Sequence, residues 1–270
     1  MITIRWQPIL EQAAAIVNSY DTGVTLRQLF YRLVAAELLP NTQTAYRTLS
    51  SKTAEARRNG TFPDLVDRTR TIHRRVCFAG VVDAKSWLAD IYRRDRTENQ
   101  DMSIYVGVEK NGLVAQLQSW YSDWGIPILA LGGYSSQAYV DAVIADVQAQ
   151  SRSAVLIYAG DFDPSGEDIY RDFLNRTACF DEVIRVALNA DQVEEYDLPP
   201  QMGKATDTRA AGFIAKHGRL VQVELDALPP DVLHDLYAEA IGKFYDMSKL
   251  DVVLEQEEQE RQALAVMKHE

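Results

Sequence analysis

From Ser103 onward the chain repeats one grammar: a short apolar or β-branched run, then a longer stretch with helical periodicity. The runs are SIYVGVE, IPILAL, AVLIYAG, EVIRVAL and LVQVEL, and the helical patterns GLVAQLQSWYSDW, SQAYVDAVIADVQAQ and GEDIYRDFLNRT separate the first four. Parallel strands need crossover connections of about a dozen residues or more, so this alternation predicts βαβ units and a mostly parallel sheet. The stretch VEEYDLPPQMGKATDTRAAGFIAKHG reads as an excursion from the pattern, and PPDVLHDLYAEAIGKFYDMSKLDVVLEQEEQERQALAVMK as C-terminal helices.

The chain before Ser103 has a different character. RWQPILEQAAAIVNSY predicts one helix, and Thr25 is placed to cap a second, LRQLFYRLVAAEL, which stops before Pro40. Asn41 or Thr42 opens a third, TQTAYRTLSSKTAEARR, which Gly60 ends. NGTFPDLVDRTRTIHRRVCFAGVV, rich in turn residues and short apolar pieces, has the look of a β wing. A further helix, DAKSWLADIYRR, leads into the polar stretch DRTENQD, taken as a linker. Three helices and a wing predict a winged-helix module over residues 1–98, followed by an α/β domain over 99–270.

Charge divides along the same line. Residues 27–96 carry 14 Lys and Arg against 7 Asp and Glu, and the rest of the chain 14 against 32, giving a net charge of −11. A basic module joined to an acidic one is the arrangement phosphate contacts call for, with Arg32, Lys52, Arg57 and Arg58 as candidate DNA-binding residues and double-stranded DNA as the partner. The tail LEQEEQERQALAVMKHE reads as a solvated acidic helix.

No apolar run approaches the roughly 18 residues of a membrane span, and MITIRWQPILEQ lacks the layout of a signal peptide, so a cytosolic protein is expected. Cys77 and Cys179 form no CxxC pattern and read as buried thiols, and the four His residues have no zinc-ligand spacing.

The sharpest local feature is AGDFDPSGEDI, residues 159–169, directly after the buried run AVLIY. Asp161 and Asp163 repel each other at a sheet edge unless a cation offsets them. SIYVGVE also ends in an acid, Glu109, and ligands of open parallel sheets sit at the carboxyl ends of strands. If the two strands are neighbours, Glu109, Asp161 and Asp163 converge. Oxygen donors without His or Cys select a hard cation, Mg²⁺ or Mn²⁺, of the kind that also binds phosphate. Ser165 with Asp168 reads as a capping box for the helix that follows. Plain helix capping by the acids is the competing reading. Haloacid-dehalogenase-type phosphatases also place DxD after a buried strand, with Thr or Val at the position where this chain has Ser165.

On a helical wheel Leu26, Leu29, Phe30, Leu33 and Val34 form one apolar stripe, and Tyr31 lies well off it, one turn after Arg27. TLRQLFYRLV resembles the active-site helix of the type IIB topoisomerase A subunit and of its relative, the meiotic double-strand-break transesterase, roughly T-x-R-x-x-Y-Y, with Phe30 at the first Tyr position and Tyr31 at the second. VGVEKNG, LALGGYSSQA, AGDFDPSGEDI and VELDALPP resemble further segments of the same family in family order, the third being its Toprim signature.

The resemblance implies an α/β multidomain protein: an N-terminal winged-helix (CAP-like) module carrying the nucleophile, then a Toprim domain, in a homodimer. It implies that Tyr31 attacks a DNA phosphodiester to leave a 5′-phosphotyrosyl link, assisted by Arg27. Glu109, Asp161 and Asp163 would hold Mg²⁺ (or Mn²⁺), and Glu109 would also handle a proton. Each site would join Tyr31 of one subunit to the acids of the other. Two departures stand out: the family's G-K-G-Y-P segment has become GGYSS, with Gly132 at the Lys position, and neither a GHKL-type ATPase module nor a Walker A motif occurs. Strand passage would therefore need a separate ATPase B subunit. The competing functions are a hydrolytic Toprim nuclease, with Tyr31 a bystander, and a non-catalytic dimeric DNA-binding protein.

Overall fold

The computed structural model describes residues 5–20, 23–67, 75–202 and 207–266. In chain order the helices and strands are α1 (Trp6–Asn18), α2 (Leu26–Ala35), α3 (Gln43–Arg58), α4 (Val81–Ile91), β1 (Met102–Val108), α5 (Asn111–Tyr121), β2 (Ile128–Ala130), α6 (Gln137–Ala149), β3 (Ser153–Ala159), α7 (Pro164–Thr177), β4 (Glu182–Ala187), α8 (Ala190–Glu195), β5 (Gln201–Met202), α9 (Ala210–His217), β6 (Val221–Gln222), α10 (Pro230–Ile241) and α11 (Met247–Val266).

Four strands form a parallel sheet in the order β2-β1-β3-β4, as the alternation predicted. The two central strands are continuous apolar runs because both of their faces are covered. Ile104, Val106 and Val108 of β1 join Val155, Ile157 and Ala159 of β3 in one core, with Leu113 and Leu117 of α5 and Leu233 and Tyr237 of α10. Tyr105, Leu156 and Tyr158 point the other way, against Val143 and Val147 of α6 and Phe173 of α7. Each fully buried aliphatic or aromatic side chain contributes about 1.5–3 kcal/mol, so this sheet is the rigid platform of the molecule.

LVQVEL does not extend the parallel sheet. Its Val221 and Gln222 pair antiparallel with β5, and Val223 bridges Phe162 just beyond β3. The polar residue at every second position suits a strand covered on one side only, not a buried one.

The first core continues without a break into α1, α2 and α3 through Ala13, Leu29, Leu33 and Leu49. Thr25 and Gln28 form a reciprocal capping box at the start of α2, and Thr42 caps α3. Gly60 follows α3 with φ +68°, a conformation that favours glycine. The expected β wing is not borne out: residues 59–67 and 75–80 carry no strand, and residues 68–74 lie outside the described residues. Pro63 removes a backbone donor there, and beyond the bonds that close α3 the Val66 N–H donates to Val24 O at 3.1 Å.

Two further expectations are corrected. The stretch read as a linker is pinned, and the tail read as a solvated helix does the pinning. Glu257 of α11 is only 1% exposed. Its carboxylate accepts from Arg96 Nη2 at 2.7 Å, Arg261 Nη2 at 2.6 Å and the Arg94 N–H at 3.0 Å, while Glu260 accepts from Arg94 Nη1 at 2.6 Å. A buried carboxylate is tolerated only with such partners, and α4 packs alongside on α11. Cys77 is exposed, not buried, and Cys179 is half-buried. Among the described residues no helix is long and apolar enough to cross a membrane.

Candidate active site

β1 and β3 are neighbours, with Val108 opposite Ala159, so their C-terminal ends bring Glu109 and Asp161 side by side. The Glu109 N–H donates to Ala159 O at 3.0 Å, and the Asp161 N–H donates to Glu109 Oε2 at 2.9 Å. Small residues keep this corner open. A Cβ on Gly160 would lie 2.9 Å from Glu109 Oε2 and collide with the Tyr158 hydroxyl, and one on Gly166 would meet the same oxygen at 2.9 Å.

Asp161 is buried and fully engaged. Its Oδ1 accepts from the Leu225 N–H at 2.8 Å, and its Oδ2 takes an ion pair from Lys110. Asp163 is the N-cap of α7, accepting from the Gly166 N–H at 2.6 Å, with Pro164 at the first helical position. The cap is therefore Asp163 and not Ser165, whose hydroxyl accepts from Arg209 at 3.2 Å. Pro164 explains the difference, since it holds the preceding Asp163 in the extended conformation a cap requires.

Three residues not assigned by the sequence complete the cluster. Glu224 and Asp226 project from the turn after β6, and Lys110 follows Glu109. Lys110 Nζ reaches Glu224 Oε2 at 3.4 Å besides its pair with Asp161. Arg27 of α2 pairs with Glu224 and, through Nε, with Asp226 Oδ2 at 3.1 Å. VEKNG and VELDALPP both carried these residues in view, but nothing in either stretch states that a helix 80 to 200 residues away supplies the counter-charge.

Burial and the adjacent Asp161 charge push the Glu109 carboxyl up to about 7. Burial likewise raises Asp163, against the opposing Gly166 amide, and raises Asp226, against the opposing Arg27 guanidinium. The crevice is thus short of positive charge, with Lys110 and Arg27 supplying what there is. Among the described residues no group of three His, Cys, Asp or Glu is arranged around one metal position. The donor chemistry nevertheless suits a hard cation: every acid contributes oxygen, and Asp161 and Glu224 already share the Lys110 ammonium.

Tyr31 departs from its sequence reading. It is 5% exposed and packs edge-on against Phe30 with ring centroids 5.5 Å apart, and Phe30 in turn meets Tyr46 of α3 at 5.3 Å. Its ring lies 5.9 Å from the Arg27 guanidinium. Tyr31, Arg27, Tyr46 and Glu224 line one cavity of about 410 Å³. A neighbouring cavity of about 500 Å³ collects Arg27, Arg57, Lys110 and Asp226. The basic residues do not act as a single group. Arg57 lies near the crevice, Arg58 is exposed on α3, and Lys52 pairs with Glu55 at 3.2 Å. Arg32 lines a separate groove with Tyr20 and Tyr196.

No family model matches the chain, and no curated protein matches it. Fold and site together define an α/β protein with a four-stranded parallel sheet and an acidic crevice at its carboxyl edge.

Proposed function

We propose that the chain is a Mg²⁺-dependent DNA transesterase of the type IIB topoisomerase A-subunit kind, with an N-terminal winged-helix-like module and a Toprim domain. The observation that carries the reading is the shared cavity of Tyr31, Arg27 and Glu224, which joins the candidate nucleophile to the acidic crevice.

In the proposed reaction the Tyr31 phenol oxygen bonds to a backbone phosphorus, and the bond from that phosphorus to the 3′-oxygen breaks. The phenol proton ends on the departing 3′-hydroxyl, leaving a 5′-phosphotyrosyl link. Arg27 stabilises negative charge on the phenolate and the phosphoryl oxygens. Glu109, whose carboxyl burial and Asp161 raise to about 7, would also handle a proton. Glu109, Asp161 and Asp163 would hold the metal, and Lys110 would give up its pair with Asp161 on metal binding. Bound there, Mg²⁺ or Mn²⁺ supplies Lewis-acid stabilisation of the phosphate charge. Arg57, Arg58 and Lys52 contact the DNA backbone, with Arg32 doing so from another face. The working form is a homodimer, and strand passage requires a separate GHKL-type ATPase subunit.

The test is to incubate the protein with supercoiled DNA and Mg²⁺ or Mn²⁺, stop with denaturant, and look for DNA ends covalently attached to protein. Attached 5′ ends that vanish in Tyr31→Phe and in Asp161→Ala support the proposal. The burial of Tyr31 favours one alternative, a hydrolytic nuclease in which that ring is packing. Free ends that persist in Tyr31→Phe would establish it.

A further inference from the structure

A second concave surface shares no lining residue with the acidic crevice or with the cavities around Arg27. It measures about 550 Å³ and is framed by α7, the end of β4 and the last turn of α9. That volume lies within the range of small-molecule sites.

Its most unusual lining group is Arg185. The guanidinium donates to Leu188 O at 3.2 Å through Nε and to Asp161 O at 2.8 Å through Nη2, and it lies 5.7 and 5.6 Å from the Tyr158 and Tyr170 rings. All of these partners are neutral. Among the described residues Arg185 forms no ion pair, unlike Arg27, Arg94, Arg96 or Arg209, each of which meets a carboxylate. Carbonyls satisfy two donors of the guanidinium fork and the two rings face its charge, but among the described residues no carboxylate neutralises it and its other N–H groups make no hydrogen bond.

The rim adds cations. Lys216 and His217 both turn to one acid, Glu167, at 3.0 and 2.7 Å, and Arg171 stands on the adjacent turn of α7 paired to Asp168. Positive charge therefore exceeds negative around an opening whose remaining lining includes the Tyr170 ring and the Asn175 and Asn189 amides. A forked guanidinium with free donors matches the oxygens of a phosphate, several cations around one opening suit a phosphate's larger charge, and ring and amide groups suit a nucleobase and sugar.

We propose that this cavity binds the phosphate of a nucleotide unit, through Arg185 at its base and Lys216 and Arg171 at its rim. The unit is either a free mononucleotide or one nucleotide of a DNA strand. Because Arg185 also holds the Asp161 carbonyl, an occupant would bear on the backbone of the acidic crevice. The inference does not depend on the transesterase reading, since no residue of that chemistry lines the cavity.

The experiment uses the full chain in chelator, which keeps divalent metal out of the crevice. Binding of AMP, ATP and a short DNA duplex is measured for the wild type and for Arg171→Glu with Lys216→Glu. The Arg171 and Lys216 side chains are 70% and 63% exposed, so the double variant should keep the wild-type melting temperature, which is checked. The same charge change at Lys243 and Lys249 controls for general electrostatics. The expected result is binding of at least one probe, weakened about tenfold or more in the double variant and unchanged in the Lys243 and Lys249 control. If nucleotides carry the loss, the ligand is a free nucleotide; if only the duplex does, it is the DNA backbone. Arg185→Gln should reproduce the loss. Absence of any binding at millimolar concentration overturns the proposal. So does equal binding by the double variant, or equal weakening by the Lys243 and Lys249 control.

Discussion

Glu109 and Asp161 hang on one hydrogen bond: the Asp161 N–H donates to Glu109 Oε2 at 2.9 Å, so the acid that ends β1 is held by the backbone that leaves β3. The bond fixes the carboxylate beside a second one, and burial together with that neighbour raises the Glu109 carboxyl to about 7.

A group raised in this way favours the folded state while protonated. Its contribution is complete below the ordinary glutamate value of 4.5 and is lost as pH rises through about 7. Glu109→Gln keeps an acceptor for the Asp161 N–H and removes the charge. The variant should be more stable than wild type by about 1–2 kcal/mol at pH 8 in chelator, a thermal-melt measurement, while losing metal-dependent cleavage. A lower melting temperature at pH 8 would count against this account of the crevice.

Asp163 serves as cap and candidate ligand at once, and substitution can separate the two. Asp163→Asn retains an oxygen for the Gly166 N–H and should melt within about 0.5 kcal/mol of wild type, whereas Asp163→Ala should lose about 1 kcal/mol. Both should abolish cleavage. An active Asp163→Asn would show that the charge is not needed for metal.

Glu257 behaves oppositely to Glu109. Burial pushes its carboxyl up, but Arg96, the Arg94 amide and Arg261 outweigh burial and hold it below the usual glutamate range. Its stabilisation is therefore present above the ordinary value of 4.5 and disappears as pH falls through the lowered one. Glu257→Gln should cost about 3 kcal/mol at pH 7, with the difference from wild type shrinking on acidification. Denaturant midpoints from pH 7 down to pH 3 would check both parts.

Subunit exchange tests where each cleavage site is built. If Tyr31 serves the acids of its dimer partner, mixing inactive Tyr31→Phe with inactive Asp161→Ala should restore about a quarter to a half of wild-type cleavage through the one intact site of each mixed dimer. No recovery in verified mixed dimers would place Tyr31 and the acids of one site on one chain, as their common cavity with Glu224 would allow.

How far the sequence announced this structure depended on the range of the interaction concerned. The sheet was legible because AVLIY and SIYVGV carry their burial in their own composition, and the Thr25 cap because its partner Gln28 is three residues away. The meeting of Glu109 with Asp161 followed once the strands were taken as neighbours. Ser165 with Asp168 has the spacing of a cap, but Pro164 at the first helical position moves the cap to Asp163. The middle of the last helix, EQEEQERQ over residues 255–262, is polar without a break and so reads as solvated, and Glu257 becomes a buried residue only when Arg94 and Arg96 arrive from about 160 residues upstream. The wheel sets Tyr31 off the apolar stripe of α2 and shows nothing of the elements packed on it, so the burial of Tyr31 was not legible there.

That late contact also sets an order of events during synthesis. The segment joining the N-terminal helices to the sheet is fastened by residues that leave the ribosome after both of those parts. Until they emerge, the helices and the sheet can each form and Arg94 and Arg96 can meet only Glu98 and Asp123, so the join lacks the contacts to Glu257 and Glu260. α11 is in this sense the clasp of the molecule, closed only after the N-terminal helices and the sheet have both been made.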